Sequence, residues 1–520
     1  MISDKIYFLR NENKMTQEEL AEKADVSRQA IQKWESGQAA PTIDKLIKLS
    51  ELFNVTLDYL CKDLTGDCQR AESGKKYKLN YEKITDTYFT SSDIEYRQSY
   101  DEGKDIEQFK DLFMAVKKMP ANEYKEKMTD VLFDLVNSLP VRGDFNFIEP
   151  NDLLTIKLQR EKNIAALDKP SNVPDKIKGG WFGRICGCLL GKPVECIMRA
   201  DLEKILKRTD NYPLRRYITA EEIAEINTDD ITFPIKNRAY SKNFNAMPSD
   251  DDTNYMLIAL KTVERHGRDF TSDDVADVWL TTQTHNAYCT AEHIAYINFL
   301  NGYTAPQSAE YKNVYREWVG AQIRGDVWGY INPANTEKAA EMAWRDARIS
   351  HVKNGIYGEM FVSAMIAAAF TTDDITKIIK IGLGEIPASS RLYKAVTDVI
   401  DGYEKGISAK DFFADFRSRW DEKQTYDWCH VISNAEIVTA CLLYGNGNYE
   451  KSICLAVEQG FDTDCNGATV GSVLGVMLGY EKLPKTWTNQ INDTLLSTLS
   501  GCEKVSVSDM AKKTLEFIEK

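Results

Sequence analysis

The chain has 520 residues, 43% of them hydrophobic and 28% charged, with a formal charge of −14. That length accommodates two domains and a connector, and the larger domain has ample sequence for a core. The acidic balance excludes a protein that coats nucleic acid or an anionic membrane as a whole, and no apolar run is long enough to span a bilayer.

In chain order, the first elements are short helices. Thr16 with Glu19 three residues later forms a capping box, and Ser27 caps a second helix ending at Trp34-Glu-Ser-Gly37. Leu20, Ala24, Val26, Ala30, Ile31 and Trp34 supply one shared core, and Pro41-Thr42 opens a further helix through Leu46, Leu49 and Phe53. The stretch resembles the helix-turn-helix domain of Cro and phage repressors over about Met1–Leu60. That resemblance implies double-stranded DNA as partner, with Ser27, Arg28, Gln29, Gln32 and Lys33 on the recognition helix and Gln17 at the DNA backbone. Residues 1–62 hold nine Lys+Arg against ten Asp+Glu. Affinity must therefore come from local placement, with a homodimer on a two-fold operator as the expected arrangement. A protein-binding role is the alternative.

Asp63 to about Leu167 is polar and weakly patterned. Ile106–Val116 and Tyr124–Val136 have helical spacing, suited either to docking on the following domain or to a dimer contact. Most of Thr65–Asp101 reads as flexible. The expected division is a helix-turn-helix domain at 1–64, a polar helical connector at 65–168 and a large domain at 169–520.

Two glycine stripes mark the large domain. Gly183, Gly187 and Gly191 recur at every fourth residue, as do Gly467, Gly471, Gly475 and Gly479. Glycine within a helix costs about 1 kcal/mol relative to alanine, so two stripes imply helices in close backbone contact. Packed antiparallel, they bring Glu195, just past the first stripe, beside Asp462 and Asp464, just before the second. Asp250, Asp251 and Asp252 precede another apolar helix. Each acidic run alone reads as a helix cap. Together they crowd like charges that only bound cations or protons relieve, and oxygen donors suit Mg²⁺ or Mn²⁺.

Gly183-x3-Gly187-x3-Gly191-x3-Glu195, Ser249-Asp-Asp-Asp-Thr253, Ser350-His351 and Asp462-Thr-Asp464 resemble the ADP-ribosylglycohydrolases. Further similar stretches are Gly320–Asp326, Gly329–Pro333, His351–Glu359 and Asp464–Thr469, and the motifs fall in the family's order from about Lys178 to about Trp487. The resemblance implies an all-α fold and two Mg²⁺ ions, with Mn²⁺ as a substitute. It assigns Asp251, Asp252, Asp462 and Asp464 to the metals and an acid/base role to Glu195. It places His351, with Asn354 and Tyr357 of the same stretch, on the ligand side. Tyr330 and Tyr357 are candidates to meet adenine or ribose, although core packing is the commoner role for such residues. Asp250 stands where many relatives have a hydroxyl residue and adds a charged ligand. Cys465 also replaces a hydroxyl, and its soft sulfur keeps it off the expected ligand set.

None of the five histidines pairs with cysteines at zinc spacing, so a zinc site is not expected. The eleven cysteines are odd in number and irregularly spaced, and no leader is recognised, so reduced thiols and a cytoplasmic location are expected. The expected function is Mg²⁺-dependent cleavage of the glycosidic bond between ADP-ribose and a modified target, coupled to DNA binding. The alternative is a regulator that senses ADP-ribose or an NAD-derived metabolite without turnover.

Overall fold

The computed structural model describes residues 2–53, 55, 57, 60, 85, 87–161, 167–236, 238, 240, 241 and 245–518. The chain divides into two units, Met1–Asn80 and Tyr81–Lys520. Both are helical, as the sequence leads one to expect; among the described residues the only sheet is an antiparallel pair, β1 (Thr494–Leu496) with β2 (Lys504–Ser506).

In the first unit α1 (Ile2–Glu12), α2 (Gln17–Ala24), α3 (Arg28–Glu35) and α4 (Ile43–Phe53) enclose a small core of Ile6, Leu9, Leu20, Ile31, Trp34 and Leu49. The capping box forms: the Thr16 side chain accepts from the Glu19 amide, and Glu19 accepts from the Thr16 amide. Asp25 takes a left-handed conformation (φ 53°), which turns the chain sharply into α3. Ser27 caps α3 by accepting from the Ala30 amide.

The second unit begins with a helical layer that the sequence shows only faintly. Ser92–Asp101, read as flexible, is helix α5; α6 (Lys110–Lys118) and α7 (Glu123–Ser138) follow. Tyr96, Phe113, Val116, Leu132 and Val136 pack with Ala291, Ile294, Tyr315 and Trp318 of the body. Charge reinforces this contact. Arg316 donates to Glu95 and Glu102 at 2.9 and 2.6 Å, Lys353 to Glu102 at 2.7 Å, and Gln98 to Glu317 at 2.6 Å, all in the interior. Of the stretch read as flexible, residues 65–84 and 86 lie outside the described residues.

At the centre of the body α8 (Val173–Gly191) lies against a later helix, Thr463–Leu478, and nearly every side chain of both is buried. A Cβ added at Gly179, Gly183, Gly187 or Gly191 would overlap the carbonyl oxygen of Gly475, Gly471, Gly467 or Thr463 respectively. As the first number rises by four the second falls by four. The pair is therefore antiparallel, in backbone contact along the stripe, with the end of α8 beside Thr463. The helices that carry the rest of the site are α9 (Asp251–His266), α10 (Thr290–Leu300), α11 (Asn354–Ala369) and α12 (Val431–Gly445), and Thr463–Leu478 is labelled α13.

Candidate active site

Three chain ends meet at the open end of the α8–α13 pair. Asp250 is the N-cap of α9, accepting from the Asp252 amide at 3.0 Å, and Asp462 is the N-cap of α13. Glu195 follows the short turn Lys192–Val194 that ends α8, and its carbonyl accepts from Arg238 at 2.6 Å. Glu195, Asp251, Glu292, Asp462 and Asp464 line one cleft of about 640 Å³ together with Tyr288, Trp318, Trp428, Cys196, Cys289, Cys429 and Cys465. Among the described residues no lysine or arginine lines it.

The cations that balance this charge stand behind the wall. Lys192 pairs with Asp250 at 2.5 Å. Arg184, fully buried on α8, reaches Asp252 at 2.8 Å and Asp326 at 2.7 Å, and also donates to the Asp252 and Ile323 carbonyls. Among the described residues no basic side chain pairs with Glu195, Asp251, Asp462 or Asp464. The consequence is strong mutual repulsion. Asp464, burial and Asp251 push the Glu195 carboxyl up to about 9. Burial, then Asp250 and Asp464, push Asp251 up to about 8. Asp462 and Asp464 are also raised, each chiefly by burial.

The donor set suits a divalent cation. Buried oxygens of Asp252 (Oδ2) and Asp464 (Oδ1) have no hydrogen-bond partner. Ligand atoms of Asp462, Asp464 and Cys465 lie within 4.8 Å of one another, as do those of Cys188, Asp250 and Asp252. Unpaired carboxylate oxygens at such spacing are stable when a cation replaces the missing protons.

The aromatic wall is fixed by strand-like pairing. The Val319 amide donates to the Cys429 carbonyl at 2.8 Å and the Val431 amide to the Glu317 carbonyl at 3.0 Å, which pairs Trp318 with His430. Not every residue expected on the ligand side reaches this wall. His351 is buried, bonded through Nδ1 to Ser350 at 2.9 Å, and burial with the nearby Arg324 keeps it well below its ordinary value. Asn354 donates to Glu149 and Glu317 at 2.8 Å each and accepts from the Leu392 amide at 3.0 Å. Tyr357 donates to the Pro150 carbonyl at 2.5 Å, and Tyr330 meets Ser472 at 2.6 Å in the core. Asn354 and Tyr357 thus anchor the segment at 149–150 to the body.

Conversely, Glu292 was missed. It is buried on α10, held by Arg324 at 2.8 Å, and pushed up to about 7, chiefly by burial. Its carboxylate lies against Gly320, where a Cβ would overlap it. In the sequence it reads as one more acid in a helix's first turn, and no motif distinguishes it.

On the first unit Arg28, Gln29, Gln32 and Lys33 are exposed along α3, and Arg28 pairs with Glu18 at 2.9 Å. Gln17 donates to Glu35 at 2.7 Å, and Glu35 also takes Arg10 at 2.6 Å, so these three fix the angle between α1, α2 and α3.

The fold and site define a predominantly helical body with a carboxylate-centred, aromatic-walled cleft, and a separate helix-turn-helix unit. The family model for ADP-ribosylglycohydrolase matches residues 169–515, and one for helix-turn-helix matches residues 6–60. The chain belongs to the ADP-ribosylglycohydrolase family. The chain is similar to the HTH-type transcriptional activator BcrR of Enterococcus faecalis, 47% identical over 82 residues, or 16% of this chain and 39% of that protein. It is also 32% identical over 76 residues to the uncharacterized HTH-type transcriptional regulator YqaE of Bacillus subtilis (strain 168), covering 15% of this chain and 66% of that one. YobD, a further uncharacterized HTH-type regulator of that strain, is 32% identical over 83 residues, covering 16% of this chain and 73% of its own. The chain thus spans less than two thirds of the first two relatives. A solved structure described as an ADP-ribosylglycohydrolase-related protein complex aligns with 67% of this chain and 99% of its own, at 15% identity and a TM-score of 0.41. Among the described residues no helix is long and apolar enough to cross a membrane.

Proposed function

We propose that the body is a divalent-metal-dependent hydrolase that cleaves the bond between ADP-ribose and an attached group, and that the helix-turn-helix unit binds double-stranded DNA. The observation that carries the first part is the meeting of Glu195, Asp251, Asp462 and Asp464 in one cleft, with no basic side chain paired to them among the described residues. Asp250, Asp251, Asp252, Asp462 and Asp464 would hold two Mg²⁺ ions, with Mn²⁺ as a substitute. Such ions supply Lewis-acid polarisation of ribose hydroxyls and of a nearby water.

The chain's own residues supply the rest. Glu195, on a turn held through its carbonyl by Arg238, takes the proton of the attacking water or gives one to the departing group. Trp318, Tyr288 and Trp428 exclude water and offer flat faces to the ligand. Lys192 and Arg184 fix Asp250 and Asp252 in place, and Oδ2 of Asp252 is left without a hydrogen-bond partner. On the first unit Arg28, Gln29, Gln32 and Lys33 face base edges and phosphates, and Ser27 and Gln17 position the helix. A two-fold operator would call for a homodimer.

The test is release of ADP-ribose from arginine-, serine- and DNA-linked substrates with Mg²⁺, alongside Asp251→Asn/Asp464→Asn. Release from one linkage, lost in the variant, supports the hydrolase and names its bond. Failure on every substrate, with ADP-ribose binding that alters DNA affinity, would replace turnover by sensing.

A further inference from the structure

We propose that the Asp462–Asp464–Cys465 corner of the cleft is a mixed sulfur–oxygen site that selects a thiophilic divalent cation of the zinc class over magnesium. The inference rests on the reading that the carboxylate centre holds two metal ions, and it replaces Mg²⁺ by a zinc-class ion at the Asp462–Asp464 position alone.

Three observations carry it. The Cys465 sulfur and one oxygen from each aspartate lie within 4.8 Å of one another. All three residues belong to the cap and first turn of α13, whose backbone is locked against α8, so the spacing is rigid. Second, Asp464 is 3% exposed and its Oδ1 has no partner, so this residue of the cluster carries a buried acceptor left unsatisfied by the protein. Third, no basic side chain pairs with Asp462 or Asp464 among the described residues. The other sulfur-bearing group differs here: around Cys188, Lys192 already neutralises Asp250 and Arg184 neutralises Asp252. Cys465 also lines the cleft, so an incoming ion meets its thiol without opening the core.

The chemistry follows from donor softness. Mg²⁺ demands a near-octahedral shell of oxygens, whereas Zn²⁺ accepts few ligands and favours thiolate. On binding, Cys465 releases its proton to solvent and donates a sulfur lone pair to the ion. A hydroxyl at this position would leave an all-oxygen site, whereas Cys465 converts one ion position and leaves the Asp250–Asp251 side oxygen-rich.

The experiment uses the full metal-free chain. Cd²⁺ serves as the optical probe of thiolate ligation, and Zn²⁺ and Mn²⁺ are titrated in competition. The expected result is a sulfur-to-cadmium charge-transfer band that Cys465→Ser abolishes. The same variant should lose at least about tenfold in Zn²⁺ affinity relative to Mn²⁺. An undiminished band, or an unchanged Zn²⁺/Mn²⁺ ratio with both ions still bound, overturns the thiol assignment and leaves the metal-centre reading standing. Failure of both proteins to bind any of the ions overturns both. Should Cys465→Ser not fold, alkylation of the wild-type chain mapped by mass decides. Protection of Cys465 by Zn²⁺ but not by Mg²⁺ supports the site, and equal alkylation in all three conditions refutes it.

Discussion

Glu195 and Arg184 show how single side chains act in opposite senses on activity and stability. Glu195 faces Asp464, Asp251 and Asp250, which raise its carboxyl to about 9. Replacing it by glutamine removes a carboxyl that the metal-free fold must keep protonated at a pH where the unfolded chain ionises it. Glu195→Gln should therefore melt at a higher temperature in the absence of metal, while turnover falls by about 10²–10⁴-fold. An unchanged turnover would remove Glu195 from the mechanism. Arg184 is the reverse case: it satisfies Asp252 and Asp326 in the interior. Arg184→Met leaves two buried carboxylates unpaired and should cost about 3–5 kcal/mol of stability, measured by urea denaturation; a loss near zero would mean the carboxylates find other partners. Of these two residues the sequence makes only Glu195 legible, because it closes a motif. Arg184 sits among glycines and apolar residues, and its partner Asp326 lies far along the chain, so nothing local marks the pair.

At the scale of elements, the period-four glycines announce the α8–α13 contact before any coordinates, because a helix tolerates repeated glycine only where another backbone must approach. A methyl at Gly471 would overlap the Gly183 carbonyl. Neither helix can retreat, since both are buried on nearly all sides. Gly471→Ala should lose about 1–3 kcal/mol or more despite its better helix propensity. Gly143→Ala, with open space around it, is the control and should be neutral or slightly stabilising. Equal melting temperatures for the two variants would show that the stripe does not hold the helices together. Helix α5 was far less legible than α6 and α7, which overlap the two stretches of helical spacing, and for a physical reason. Much of its attachment is through Glu95, Gln98 and Glu102 to Arg316, Glu317 and Lys353. Polar side chains that bury by pairing leave no hydrophobic period. The same network claims Asn354, which explains why a residue inside a family motif has its hydrogen bonds committed to the body.

For the molecule as a whole, two units with separate cores imply two thermal transitions, and the crowded carboxylates should make one of them depend on metal and pH together. Asp251 and Glu195 have folded-state values of about 8 and about 9, against roughly 4 in an unfolded chain. Between about pH 5 and 9 the folded body therefore binds more protons than the unfolded one, and its metal-free stability falls as pH rises. Mg²⁺ competes with those protons, so the rise in melting temperature that it produces should be small near pH 5.5 and largest near pH 9. The helix-turn-helix unit contains none of these carboxylates, and its transition should stay where it is when Mg²⁺ is added. Scanning calorimetry at three pH values, with chelator and with Mg²⁺, measures both transitions at once. A Mg²⁺ shift of constant size across pH would mean that protons and metal do not share the carboxylates. A shift in the transition of the first unit would mean that occupancy of the cleft is transmitted to the DNA-binding unit.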